Sequence, residues 1–272
     1  MRNIQKIVTF FSVLLILTGC KETKEPSKLI ENAGWKKDTQ VFKTIKNVNF
    51  NFPDSGFAFN NKEDLIKESF DALKIDSQLI GLKEFYDTIF IRFLRSRIDM
   101  FPLTATKASG NAYPHISTLY VVANENQKPP IKHELMHLIA MLKWDYPTGT
   151  STWMNEGLAT YAENNCSGFN VAELYRYFME NDKLISMDLL ASDFYKQPEM
   201  IAYHQSAYIV EYLLSNYTID QFKQLWIGGF EKFEEIYGVP YTTVKIDLEN
   251  KIMEKYLTVP KIDFEKFKKG CE

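Results

Sequence analysis

A chain of 272 residues with 32 Lys and Arg against 35 Asp and Glu carries a formal charge of −3, which excludes the basic footprint of a nucleic-acid binder. Apolar residues at 45% and aromatics at 14% are ample for a packed core, and the length suits one domain of two lobes or two small domains. The sequence contains no repeat and no low-complexity tract.

At the N-terminus, Arg2 and Lys6 precede an apolar run from Ile7 to Leu17, shorter than the roughly 20 residues of a spanning helix. The run ends in Leu17-Thr18-Gly19-Cys20 and resembles a bacterial lipoprotein signal. That resemblance implies removal of residues 1–19 as a signal peptide and lipidation of Cys20, with an uncleaved signal anchor as the alternative. Cleavage takes away Arg2 and Lys6 and no acid, so the charge moves from −3 to −5. Residues 20–40 then read as the lipidated cysteine and a polar tether, in which Lys, Glu, Thr, Pro and Ser fill positions 21–28 without periodicity. The expected partner of this end is a membrane, held through acyl chains on Cys20. The expected location is the bacterial cell envelope, extracytoplasmic, with Lys21 in place of an aspartate slightly favouring the outer membrane. No later apolar run is long enough to span a bilayer.

Residues 41–272 are expected to form one α+β domain: an α+β lobe over 41–128 and a mainly helical lobe over 129–272. Val41 to Phe59 alternates apolar and polar residues around Pro53 and Gly56, suggesting paired strands. Leu65, Ile66, Ser69, Phe70 and Leu73 give Lys62 to Lys74 helical spacing. Tyr86 to Leu94 and Thr118 to Ala123 read as strands, making a small mixed sheet. Pro129 and Pro130 suit the first turn of a helix, where a missing N–H costs nothing. Further helices are expected near 153–165, 170–181, 202–215, 218–227 and 242–256. The helix after Pro130 would then lie at the junction of the lobes, where a cleft forms, with the strand Ser117 to Val122 on the border of that cleft.

That helix carries His133-Glu134-Leu135-Met136-His137. Residues four apart on a helix differ by about 40° in azimuth and about 6 Å along the axis, so both imidazoles can reach one metal ion. A catalytic zinc takes three protein ligands and leaves one position for water, so the third ligand must come from another segment. Glu156, separated from His137 by eighteen residues and lying within Trp153-Met154-Asn155-Glu156-Gly157-Leu158-Ala159, is the candidate. Glu134, beside the first ligand, can take a proton from the activated water, which makes it base and not ligand. Leu135, Leu138, Ile139, Met141 and Leu142 make the helix apolar almost all round, and polar groups buried on it need a metal or hydrogen-bonding partners.

These motifs resemble the gluzincin metallopeptidases, specifically the peptidase MA group that includes aminopeptidase N-like enzymes. The resemblance covers roughly residues 105 to 255 and implies a zincin-like fold, one Zn2+ per chain held by His133, His137 and Glu156, and hydrolysis of a peptide or protein substrate. The stretch Ala202-Tyr203-His204-Gln205-Ser206-Ala207-Tyr208 resembles the family's tyrosine-bearing helix, implying Tyr203 as oxyanion donor. Glu163 matches an acidic position that buttresses the metal site, or is a solvated helix-end carboxylate. In related peptidases an edge strand pairs with the substrate backbone, a place Ser117 to Val122 would take. The aminopeptidases' Gly-Ala-Met-Glu-Asn strand has no counterpart, because the nearest segment, Gly110-Asn111-Ala112-Tyr113, lacks an acid; exopeptidase activity does not carry over.

Cys166 and Cys271, 105 residues apart, are the pair left after lipidation, and export makes a disulfide the expected state over two free thiols. His115 reads as a surface group, and His204, beside Tyr203, competes for the oxyanion role. The expected function is a lipid-anchored zinc peptidase, monomeric by default. Two alternatives stay open: a non-catalytic lipoprotein that binds peptide or envelope polymer, and a zinc hydrolase of a non-peptide bond.

Overall fold

The structure, a computed structural model, describes residues 40–271; the expected signal peptide, Cys20 and residues 21–39 of the expected tether lie outside them, and Gln40, the last residue assigned to the tether, opens the first strand. A five-stranded mixed sheet is built from β1 (Gln40–Ile45), β2 (Val48–Pro53), β3 (Ile89–Leu94), β4 (Gly110–Tyr113) and β5 (Thr118–Val122), in the order β1-β2-β3-β5-β4. β1 and β2 form an antiparallel hairpin, β2, β3 and β5 run parallel, and β4 returns antiparallel to β5. Alternation along β5 sends Leu119 and Val121 to the main core, while Tyr120 and Val122 pack with Leu94, Met100 and Leu103 on the opposite face. The helix Arg97–Thr104, capped by Ser96 accepting from the Asp99 backbone N–H, covers that second face.

Three sequence expectations are corrected. β5 is not an edge strand: it pairs with β3 and β4, and all five of its residues are buried, as an inner strand requires. The edge is β4, whose four residues are too short and too mixed to announce a strand. The paired strands expected through Phe59 stop at Pro53, where proline ends the ladder, and Phe57–Asn60 is helical after Gly56 turns the chain at φ 84°.

The remainder is mainly helical, making the fold α+β. The metal helix, Ile131–Trp144, packs on the helix Lys62–Leu79 and on the β4–β5 end of the sheet. Next comes Thr152–Glu163, which we call the third-ligand helix, and it packs on both the metal helix and the tyrosine helix, Glu199–Asn216. Its contact with the tyrosine helix is backbone against backbone. A Cβ at Gly157 would lie 2.8 Å from the Ser206 carbonyl carbon and oxygen, so only glycine allows this approach. One contiguous core runs from Phe50 and Ile91 of the sheet through Leu135 and Leu158 to Leu248, joining the two lobes. Cys166 is disulfide-bonded to Cys271, which ties the C-terminal segment to the end of the third-ligand helix, where Phe267 packs on Phe178.

Candidate metal centre

The metal helix and the third-ligand helix face each other across a cleft of about 690 Å³, with β4 along one side and the tyrosine helix along the other. His133 and His137, one helical turn apart, bring their Nε2 atoms to 3.2 Å. Glu156 Oε2 lies 3.3 Å from His137 Nε2 and 3.7 Å from His133 Nε2. A tetrahedral metal with bonds of about 2.05 Å needs donors about 3.3 Å apart, so these three atoms fit a zinc ion. Their convergence also makes the donor set suitable chemically, since imidazole and carboxylate are zinc ligands.

Each ligand is oriented from outside. Asn155 Oδ1 accepts from His137 Nδ1 at 2.8 Å, which leaves Nε2 with its lone pair toward the cleft. Tyr195 Oη donates to Glu156 Oε1 at 2.7 Å and leaves Oε2 facing the histidines. Neither partner emerged from the sequence as a functional residue. Asn155 had a signal, since it adjoins Glu156 in the quoted motif; Tyr195 sits in the 3-10 turn Phe194–Lys196, where no period marks it.

Glu134 lies half-buried on the cleft floor, and burial pushes its carboxyl above the usual range against the lowering influence of His133 and His137. Gly110 of β4 makes the room for it: a Cβ there would come within 2.7 Å of the Glu134 Cδ and Oε1. Tyr203 reaches the cleft from the tyrosine helix, its ring stacked on His133 at 6.3 Å between centroids and tilted against Phe194 at 5.2 Å. Burial, and then the Glu156 charge, push the Tyr203 phenol far up, so it stays a donor throughout the neutral range. Tyr195 is held up by the same causes.

His204 points elsewhere. Its Nδ1 donates to the Met200 carbonyl at 2.7 Å and its Nε2 faces Cys271 Sγ at 3.6 Å, while burial lowers its pKa to about 4. Glu163 lines the cleft but is exposed, and among the described contacts no hydrogen bond joins it to His133 or His137. Of the two readings of Glu163, the solvated helix-end carboxylate is the one the structure matches, since the third-ligand helix ends there and turns its last residue to solvent, and the residue that hydrogen-bonds His137 is Asn155. His115 sits in the 3-10 turn Pro114–Ile116, exposed, with its ring edge-on to Tyr113 at 5.7 Å.

Without metal, Glu156 and Glu134 hold a proton on His137, raising its pKa to about 9 against desolvation, and Glu156 is correspondingly lowered. Because the folded pKa of His137 lies above its unfolded value of about 6.5, the pair stabilises the metal-free protein fully below that value, and this stability is lost as pH rises through about 9. Zinc needs the neutral imidazole, so its binding releases this proton and strengthens over the same window. The rise in Tm on adding buffered zinc to chelated protein is therefore expected to grow from pH 6 to pH 9. A rise independent of pH would mean that His137 is not displaced from its proton by the metal.

A model of the Peptidase MA superfamily matches residues 102–237, half of the chain, from the helix that precedes β4 to the far side of the tyrosine helix. No curated protein matches the chain.

Proposed function

This chain belongs to the Peptidase MA superfamily and has a metallopeptidase-like fold, and we propose that it is a zinc-dependent peptidase of the gluzincin kind, anchored to an envelope membrane through Cys20. The observation that carries this reading is the 3.2–3.7 Å triangle of His133, His137 and Glu156 donors. Bound there, zinc would supply Lewis acidity toward a peptide carbonyl and acidify a water molecule.

The chain's own residues do the rest. Glu134 takes the proton from the attacking water and passes it to the leaving amine, a task that its raised carboxyl pKa suits. Tyr203 donates a hydrogen bond to the oxygen that becomes negative in the tetrahedral transition state. Tyr195 and Asn155 hold Glu156 and His137 in the positions that the triangle requires. β4, the edge of the sheet and part of the cleft wall, offers its free backbone groups to an extended peptide. No acidic side chain stands on β4 to grip a substrate's amino terminus. The space that Gly110 leaves for Glu134 favours hydrolysis over a binding-only cleft, which has no use for a base. The apolar run that ends at Cys20 supports the lipid anchor, and Lys21 slightly favours the outer membrane. Monomer remains our default for oligomeric state.

The test is a peptide-library digest with the purified chain, with and without a chelator, alongside elemental analysis. About one zinc per chain and chelator-sensitive cleavage are expected, with both lost in His137→Ala. Zinc-independent cleavage, or full zinc content in the variant, would remove the assignment. Zinc present with no peptide cleaved would point to a non-peptide bond or a binding role.

A further inference from the structure

A second group of metal-binding donors stands in the wall of the same cleft and shares no residue with the first. Cys166 Sγ, Cys271 Sγ and the ring nitrogen of His204 all lie within 4.8 Å of one another. Cys166 and His204 are buried, whereas Cys271 is exposed and borders the cleft together with His204. His204 is held as a metal-bound imidazole is held: Nδ1–H donates to the Met200 carbonyl at 2.7 Å, which fixes the tautomer and leaves the Nε2 lone pair directed at Cys271 Sγ, 3.6 Å away. The edge-on ring of Phe267, 5.3 Å off, prevents the imidazole from swinging away. Such an arrangement does little for a histidine that only fills space, because its free nitrogen faces a disulfide sulfur that has no hydrogen to donate.

As the protein stands, the two sulfurs are bonded to each other and neither is available as thiolate, the form that binds metal. We propose that Cys166, His204 and Cys271 form a thiol-gated second zinc site, closed by the disulfide and opened when a dithiol reduces it. The dithiol gives two electrons and two protons to the Sγ–Sγ bond and becomes a cyclic disulfide, leaving Cys166 and Cys271 as thiols. Zinc then displaces both thiol protons to solvent and takes two thiolates and the His204 Nε2, with water in the fourth position on the cleft side. Tetrahedral geometry asks for about 3.8 Å between sulfurs and about 3.5 Å from each sulfur to nitrogen. Donors already within 4.8 Å of one another reach this by a small parting of the sulfurs. Cys271 can supply that movement: it is exposed and follows Gly270 at φ 119°, outside the helix Phe264–Phe267, whereas Cys166 is fixed in the core. The site makes the cleft wall respond to the thiol–disulfide poise of its surroundings, independently of what the cleft hydrolyses.

Cobalt titration of the purified full-length chain tests this, with a water-soluble phosphine as reductant because it adds no competing thiol. The oxidised chain is expected to take about one equivalent without a thiolate-to-cobalt charge-transfer band, and the reduced chain about two with that band. In reduced His204→Ala, affinity for the sulfur-bound equivalent should fall at least tenfold while the other equivalent persists; His137→Ala should show the converse. Alkylating both thiols of the reduced wild-type chain, which requires no variant to fold, should abolish the band. A reduced chain that takes no further cobalt, a band of unchanged affinity in His204→Ala, or a second equivalent that survives alkylation would each overturn the proposal. Failure of the peptidase reading appears separately, as loss of the sulfur-free equivalent.

Discussion

Glu134→Gln is expected to keep about one zinc per chain and to lower turnover by at least about 10², the lower end of what a positioned general base contributes. The substitution preserves size and leaves the amide oxygen as an acceptor, so binding of water and of substrate survives while proton acceptance does not. The site is arranged so that nothing nearby can substitute. Glu156 is committed to the ligand triangle and to Tyr195, and Glu163 is exposed at the end of its helix. Burial raises the Glu134 carboxyl, which strengthens it as a base near neutrality, and Gly110 leaves the side chain only the space it fills. Steady-state kinetics with metal content measured on the same sample decide the matter. A zinc-loaded variant that turns over at the wild-type rate would show that the proton goes elsewhere.

Tyr203→Phe carries the second large effect. A donor aimed at a developing oxyanion acts in the transition state, so its loss should reduce kcat and kcat/KM together by about 10² or more and leave zinc in place. The ring packs between His133 and Phe194, contacts that phenylalanine keeps, so the variant tests the hydroxyl alone. His204→Ala, by comparison, should cost under about tenfold, because that imidazole spends its two nitrogens on the Met200 carbonyl and the Cys271 sulfur. Neighbours on a helix point about 100° apart, so the two side chains do not share a target. If the order of the two variants is reversed, the oxyanion donor is His204.

The convergence of His133, His137 and Glu156 as a candidate ligand triangle was legible because helical spacing fixes two of its corners, and because Glu156 stands in a motif of unusual residue types. The α+β class and most helices followed from apolar periodicity, which is strong in long segments. β4 was missed as the edge because a four-residue strand whose residues are mostly half-buried leaves no alternation to detect, whereas the conspicuous apolar run of β5 is the mark of an inner strand. Asn155, and not Glu163, contacts His137 for a related reason. Sequence spacing places both on the third-ligand helix, but which one reaches His137 depends on where that helix meets the metal helix, a tertiary fact. Tyr195 was beyond reach, since its position in a short turn carries no periodic signal.

The contact of Gly157 with the Ser206 backbone fixes how near the third-ligand helix and the tyrosine helix stand to each other. The spacing of Glu156 from Tyr203 is set first by two helices touching at Gly157 and Ser206. The connection, residues 164–198, braces that spacing further: Tyr195 donates to Glu156, Phe194 packs on Tyr203 and Cys166 carries the disulfide, so changes of length or sequence that leave both side chains in place are confined to positions outside these contacts. That connection also delivers Tyr195 to the cleft. The spacing is thus locked twice, once by backbone contact at Gly157 and once by side chains of the connection, so a graft that keeps it has to carry Phe194, Tyr195 and Cys166 along.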